Sequence, residues 1–267
     1  MVIQLDNKEV GKLWDENAEN WTKLVRMGYD RCRDLINSPA FFKILPDILN
    51  LKGLDIGCGE GYNTRIAAKK GAMMTAIDIS KEFIKYAKEA EQKDPLGIKY
   101  KVASGTELPF AENCFDFAMA TMSIMDIAEN EKAISEVYRV IKPDGFFQFS
   151  IIHPCFAGND CEWVRNKEGK KTGFIVRNYF KNYNGEFEEW IFGAAPKEIT
   201  EGMRKFRIPR FTRTLSEWLN LLIETGFILE KFCEPYVDDE TLKKYPEEYD
   251  SRIIPWFLII RCRKPFK

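Results

Sequence analysis

A single histidine, His153, stands in a chain of 267 residues. One imidazole cannot furnish a histidine-rich metal site, so no metal is expected. The cysteines do not fill the gap. Cys32, Cys58, Cys114, Cys155, Cys161, Cys233 and Cys262 are odd in number, scattered, and without a CxxC pair. Neither a zinc ribbon nor a disulfide framework follows from them. Long apolar runs are missing too. The longest, residues 253–260, is interrupted by Pro255 and falls far short of a membrane span. Residues 1–6 show no basic stretch before an apolar one, as a secretory leader would. Charge of one sign is also lacking, with 40 Lys and Arg against 41 Asp and Glu. That balance argues against a general footprint for nucleic acid. The expectation is a reduced, cytoplasmic protein with no membrane and no DNA partner.

Apolar residues make up 45% of the chain, enough for one large α/β domain with an insertion. Residues 8–50 read as two or three helices, with Trp14, Trp21, Leu24 and Val25 at helical spacing. Pro39 opens a further helix carrying Phe41, Phe42, Ile44, Leu45 and Leu49, kinked at Pro46. Strands are then predicted at 52–56, 72–77, 98–102, 115–121 and 146–152, the last after a turn at 142–145. Between them lie helices at 61–70, closed by Gly71, at 81–92, capped by Ser80, and at 130–141. This alternation implies a parallel sheet with helices on both faces. From Cys155 to Arg213 the pattern breaks, and 172–180 and 186–192 read as an antiparallel pair. Thr214-Leu215-Ser216-Glu217 is a capping box for a helix running to Gly226, and 227–232 and 256–263 read as the last strands. The predicted fold is Rossmann-like, a seven-stranded and mostly parallel sheet. A helical cover spans 1–50, the main domain 51–155 and 214–267, and an α/β insertion after the fifth strand 156–213.

The chemistry concentrates in residues 54–78. Asp55-Ile56-Gly57-Cys58-Gly59-Glu60-Gly61 joins a predicted strand to a predicted helix, where glycines allow a sharp turn and close approach of a ligand. Asp78 ends the next strand, where a carboxylate can accept hydrogen bonds from both ribose hydroxyls. A dinucleotide site shares this outline but needs Gly or Ala at the sixth position, where Tyr62 stands. Asp55 would repel a pyrophosphate and attract an ammonium group. The ligand expected is a nucleoside with a cationic tail.

Asp55 to Gly61, the Ala76-Ile77-Asp78-Ile79-Ser80 turn, Glu107-Leu108-Pro109-Phe110 with Phe115-Asp116, and the 139–145 turn resemble the successive motifs of class I S-adenosylmethionine-dependent methyltransferases. They are closest to the small-molecule group that includes ubiquinone and menaquinone methylases. The resemblance implies S-adenosylmethionine as cofactor. Gly57, Cys58 and Gly59 would line its methionine part, with Asp55 near the amino group. Asp78 would hold the ribose, Ile79 would pack on adenine, and Ser104 and Gly105 would edge the ring. Thr121 and Met122 would face the sulfonium.

Other assignments stay open between two readings. Tyr29 either contacts the sulfonium by cation–π attraction or simply packs. His153 is either a base for the acceptor or a cap of its strand end. Ser123, Trp190 and Arg210 are the substrate-side candidates. The insertion's aromatics wall an acceptor pocket, or form its own core or a dimer contact. The basic run Arg204, Lys205, Arg207, Arg210 and Arg213 grips an acidic acceptor or RNA, or is a solvated strand edge. The function expected is methyl transfer to O, N or C of a small molecule by a monomer or homodimer. An RNA or protein methyltransferase, a non-enzymatic cofactor binder and a nicotinamide oxidoreductase are the competitors.

Overall fold

The computed structural model describes residues 5–158 and 160–266. The expectation for the N-terminal run 1–6 therefore falls largely outside the described residues. Seven strands form the central sheet. They are β1 (Lys52–Ile56), β2 (Met73–Asp78), β3 (Lys99–Val102), β4 (Phe115–Thr121), β5 (Ile141–Ile152), β10 (Ile228–Cys233) and β11 (Phe257–Arg263), in the order β10-β11-β5-β4-β1-β2-β3. Strands β1 to β5 pair in parallel, and β11 runs antiparallel to both β5 and β10. A sheet covered on both faces needs strands apolar on both sides. In β4, Phe117 and Met119 enter one core, while Ala118 and Ala120 enter the other.

The helices of the main domain are α3 (Tyr62–Lys69), α4 (Lys81–Lys93), α5 (Asn130–Val140) and α7 (Leu215–Thr225). Ala67 of α3 and Ile84 of α4 fill one face of the sheet, and Val137 of α5 with Trp218 of α7 fill the other. The chain winds outward from β1 through β2 to β3, then crosses back to β4 on the far side. Its reversal point lies at the carboxyl ends of β1 and β4, where open α/β sheets hold ligands.

Helix α1 (Asn7–Arg26) begins with a capping box between Asp6 and Glu9. It joins two parts of the molecule. Asp15 accepts hydrogen bonds from Ser80 Oγ at 2.8 Å and Glu82 N at 3.2 Å. Two residues on, the Asn17 amide donates to Arg207 O and accepts from Arg207 N, each at 3.0 Å. The first contact ties α1 to the end of β2 and the second to the inserted segment.

Four features differ from the sequence reading. The helix opened by Pro39 is α2 (Ser38–Ile44), preceded by a π-helical turn, Cys32–Asn37. Pro46 stops it instead of kinking it, because the residue before a proline avoids helical angles and Leu45 is extended at ψ 133°. Residues 142–145 form a bulge within β5, not a turn before it, since Phe115 pairs with Ile141 and Phe117 with Phe146.

The expected antiparallel pair of 172–180 and 186–192 does not exist. Instead β7 (Lys171–Val176) pairs with β6 (Cys161–Arg165), and β8 (Asn184–Trp190) pairs with β9 (Phe206–Phe211). The first hairpin closes locally. Asn166 Oδ1 accepts from the amides of Glu168 and Lys170, and Gly169 supplies φ +79°. A short turn, α6 (Lys197–Thr200), interrupts the second. Between β10 and β11, α8 (Asp239–Lys244) and the 3-10 turn Pro246–Arg252 occupy a stretch that the sequence left unassigned.

Candidate cofactor and acceptor site

A cavity of about 410 Å³ opens at the carboxyl ends of β1, β2 and β4, under α1 and the β8–β9 hairpin. The loop Gly57–Gly59 forms part of its floor. The amides of Gly57 and Cys58 donate to Ile77 O at 2.8 and 3.0 Å, which folds the loop over the end of β2. Gly57 has φ +70°, and a Cβ there would lie 2.4 Å from Ser123 Cβ. Only glycine fits at that point. Ser123 is in turn fixed by its Oγ, which donates to Ile56 O at 2.5 Å.

Asp78 faces the cavity and accepts Gly59 N at 2.8 Å and Ser80 N at 2.8 Å, one on each carboxylate oxygen. Both oxygens retain acceptor capacity. Burial pushes its pKa up to about 6, although the amides of Ser80 and Gly59 pull the other way. Two hydroxyl donors at this carboxylate would stabilise its charged form. Above it, Gly11 of α1 sits so close to Ile79 that an added Cβ would lie 3.2 Å from Cγ1. Asn7 Nδ2 reaches Thr106 Oγ1 at 2.8 Å, so α1 roofs both the Asp78 turn and the loop of Ser104 and Gly105.

A second wall comes from the π-helical turn. Arg33 pairs with Glu60 at 3.3 Å and Asp34 at 2.8 Å and lies 3.9 Å over the Tyr62 ring. Asn37 Oδ1 accepts from Ser150 Oγ at 3.0 Å, while its Nδ2 is buried without a partner among the described residues. An orphaned buried donor on a cavity wall is costly unless a ligand accepts from it. Next to it, Asn63 links Ser38 Oγ at 2.7 Å to Thr121 Oγ1 at 2.9 Å. An anionic acceptor such as a carboxylate suits Asn37 and Arg33. The donor set thus matches a nucleoside at Asp78 and an amino-acid end at the π-helical turn.

Of the residues singled out by sequence, Gly57, Cys58, Gly59, Asp78, Ile79, Ser104, Gly105, Thr121, Met122, Ser123, Trp190 and Arg210 all line this cavity. Three others do not. Asp55 is fully buried beneath the loop, with Thr64 Oγ1 donating to it at 2.5 Å and its Oδ1 unpartnered. Burial pushes its pKa up to about 7, which weakens its reading as a fixed anion beside an ammonium group. It supports the loop from below. Tyr29 packs with the cluster of Leu24, Val25 and Phe206, because Gly28 at φ +81° turns the chain there.

His153 also lies off the cavity lining. It is 3% exposed, its Nδ1 accepts from Cys155 N at 3.2 Å, and Nε2 meets Glu234 at 2.8 Å. Both ring nitrogens are thus engaged by neighbouring groups. The residue caps the strand end.

Sequence reasoning missed Arg33, Asn37, Asn63, Asp126 and Glu188, all on the cavity wall. Asp126 had a usable signal, since it lies five residues past the end of β4 on the rim of this fold. Its pKa is pushed up to about 8 by burial, lowered by the charge of Arg210 and raised by Glu188. The asparagines had none, because a buried amide reads in sequence like an exposed one. The basic run also resolves. Arg204 pairs with Glu16 at 2.6 Å, Arg213 with Glu131 at 2.7 Å, and Arg207 stacks 3.8 Å over Phe187. Arg210 turns inward, so these arginines form no continuous phosphate-binding stripe.

Comparison with known proteins agrees with this geometry. Residues 54–149 match the family model of the methyltransferase domain. The chain is 36% identical to a malonyl-[acyl-carrier protein] O-methyltransferase of Buchnera aphidicola, over 55% of this chain and 56% of that protein. It is 29% identical to a ubiquinone biosynthesis O-methyltransferase of Coxiella burnetii, over 57% of this chain and 64% of that one. These matches span about half to two thirds of the relatives' own length. Among solved structures, an S-adenosylmethionine-dependent methyltransferase from Mesorhizobium loti superposes with a TM-score of 0.68 at 25% identity, covering 84% of this chain and 96% of that one. With the glycine loop, the Asp78 turn and the strand order in agreement, residues 54–149 carry a methyltransferase domain, and the chain is similar in fold to S-adenosylmethionine-dependent methyltransferases.

Proposed function

We propose that this protein transfers a methyl group from S-adenosylmethionine to an O, N or C atom of a small-molecule acceptor. One observation carries the reading above the rest. Asp78, with spare acceptor capacity on both oxygens, faces the same cavity as the open glycine loop and the unpartnered Asn37 donor. The bound cofactor supplies an electrophilic methyl group on sulfur. The protein supplies alignment and a dry site, which for an in-line displacement is most of what is required. Asp78 anchors the ribose, Ile79 and Gly105 hold the adenine, and Arg33 and Asn37 grip the amino-acid end. Thr121, Met122 and Ser123 border the reacting centre. Trp190 and Arg210 reach it from the β8–β9 hairpin.

On this reading residues 1–50 cover the cofactor, 51–155 with 214–267 bind it, and 156–213 close over the acceptor. No described helix is long and apolar enough to cross a membrane, and a cytoplasmic monomer or homodimer is the form we propose. Titration calorimetry with S-adenosylhomocysteine and NAD is the direct test. Binding of the first and none of the second is expected. Asp78→Ala should weaken S-adenosylhomocysteine binding by about 1–3 kcal/mol through lost hydrogen bonds to a charged group. Tight NAD binding without a response to S-adenosylhomocysteine would refute the proposal.

A further inference from the structure

Asp126 occupies the 3-10 turn Ile124–Asp126, just beyond the Thr121–Ser123 border of the proposed reacting centre. Its amide donates to Ser123 O at 2.9 Å, so the turn is anchored to the residue that packs on Gly57. Arg210 reaches the same cavity from β9 and Glu188 from β8. Arg210 is held firmly. Its guanidinium donates to Ala157 O, lies 5.0 Å over the Tyr183 ring, and approaches Glu188 at 3.8 Å. Trp190, Phe192 and Phe211 supply flat apolar wall to the same cavity. Other charges nearby are engaged elsewhere. Arg213 is bound to Asn130 and Glu131, Glu129 takes Asn7 Nδ2, and His153 turns to Glu234. Residues 146–152 of β5 carry no charge.

We propose that Asp126 is a catalytic residue, receiving the proton of an aromatic or enolic hydroxyl that is the methyl acceptor, with Arg210 stabilising the oxygen's developing negative charge. This inference rests on the methyltransferase reading. In the step, the acceptor oxygen bonds to the methyl carbon, the electron pair of the broken carbon–sulfur bond stays on sulfur, and the hydroxyl proton passes to an Asp126 oxygen. A later exchange with water returns the carboxylate.

The chemistry selects the acceptor class. A carboxyl with a pKa near 8 is a competent base for a phenol-like hydroxyl, whose pKa is about 10, and a poor one for an alkyl alcohol. A fixed guanidinium favours an oxyanion and disfavours a protonated amine. Three aromatic side chains suit a planar ring.

The test uses catechol and 4-nitrophenol as probe acceptors. Asp126→Asn should lower kcat by about 100-fold or more while leaving S-adenosylhomocysteine affinity unchanged. Wild-type kcat should rise with pH and level off above about 8, since the carboxylate is the working form. Glu188→Gln should move that rise to lower pH and Arg210→Met to higher pH. NMR of carboxyl-labelled aspartate in the S-adenosylhomocysteine complex reads the same titration without turnover. It remains decisive if Asp126→Asn fails to fold. Unchanged kcat and pH profile in Asp126→Asn would overturn the inference. So would an Asp126 carboxyl titrating at its ordinary value, or S-adenosylhomocysteine binding without transfer to either probe. Failure of wild type to bind S-adenosylhomocysteine would instead remove the methyltransferase reading itself, and this inference with it.

Discussion

Asp78 carries more of the proposed site than any other side chain. Two amides already donate to it, yet burial still pushes its pKa up to about 6. Ribose hydroxyls would favour its charged form, so cofactor binding near pH 6 should release protons. Calorimetry of S-adenosylhomocysteine binding in buffers of different ionisation enthalpy measures that release, and a heat independent of buffer would place the ribose elsewhere. Gly57→Ala should abolish binding, because the new Cβ meets Ser123 at 2.4 Å and the φ of +70° is strained for alanine. His153→Ala should cost about 1–2 kcal/mol of stability from two lost hydrogen bonds, with cofactor affinity unchanged. At this scale the sequence was readable where a residue type announces backbone geometry, as Gly57 does. It was silent where a side chain's direction mattered, as for His153 and Asp55. Both stand at strand ends in sequence, but the structure turns one onto Glu234 and buries the other under the loop.

Among the elements, helices with explicit caps were legible. Ser80 accepts from Phe83 N, and Thr214 with Glu217 forms the reciprocal box. Thr214→Ala should destabilise the protein by about 1 kcal/mol, read from a denaturant midpoint at constant slope. Central strands were legible because burial on both faces enforces continuous apolar runs, as in Phe115–Thr121. The inserted strands were not. Strands β6, β7 and β8 are largely exposed or half-buried, and β6 carries charge at Glu162 and Arg165, so pairing was settled by local turns and by α1. Asn17 is the joint between α1 and β9. Asn17→Ala should leave the central sheet intact while amide exchange in Phe206–Phe211 speeds up. Equal protection in wild type and variant would mean that α1 does not hold the hairpin.

For the molecule as a whole, buried acids make the ligand-free protein sensitive to rising pH. Burial pushes Asp55 up to about 7 and Asp78 up to about 6 from the ordinary aspartate range. The folded state therefore binds more protons than the unfolded one between about pH 4 and 7, and these groups destabilise it as pH rises through that window. S-adenosylhomocysteine should oppose this at Asp78. At a hundred times its Kd the ligand should add about 2.7 kcal/mol and raise Tm by roughly 5–10 °C for a chain of this size. A thermal melt at pH 7 with and without ligand measures both effects. No shift at saturation would contradict binding to the native fold.

The sequence by itself determined the parallel sheet, the glycine loop and the Asp78 turn. Strand burial, positive backbone angles and helix caps are local constraints written in adjacent residues. Tertiary structure alone decided what surrounds that loop. Arg33 and Asn37, Asp126, and Glu188 come from three separate segments. They meet only because α1 joins the end of β2 to the β8–β9 hairpin, a contact between residues about 190 positions apart. The glycine loop and Asp78, the centre of the donor half, lie within one β-α-β unit and could be read along the chain. The acceptor half is assembled across distant segments, where side-chain direction and burial follow from packing.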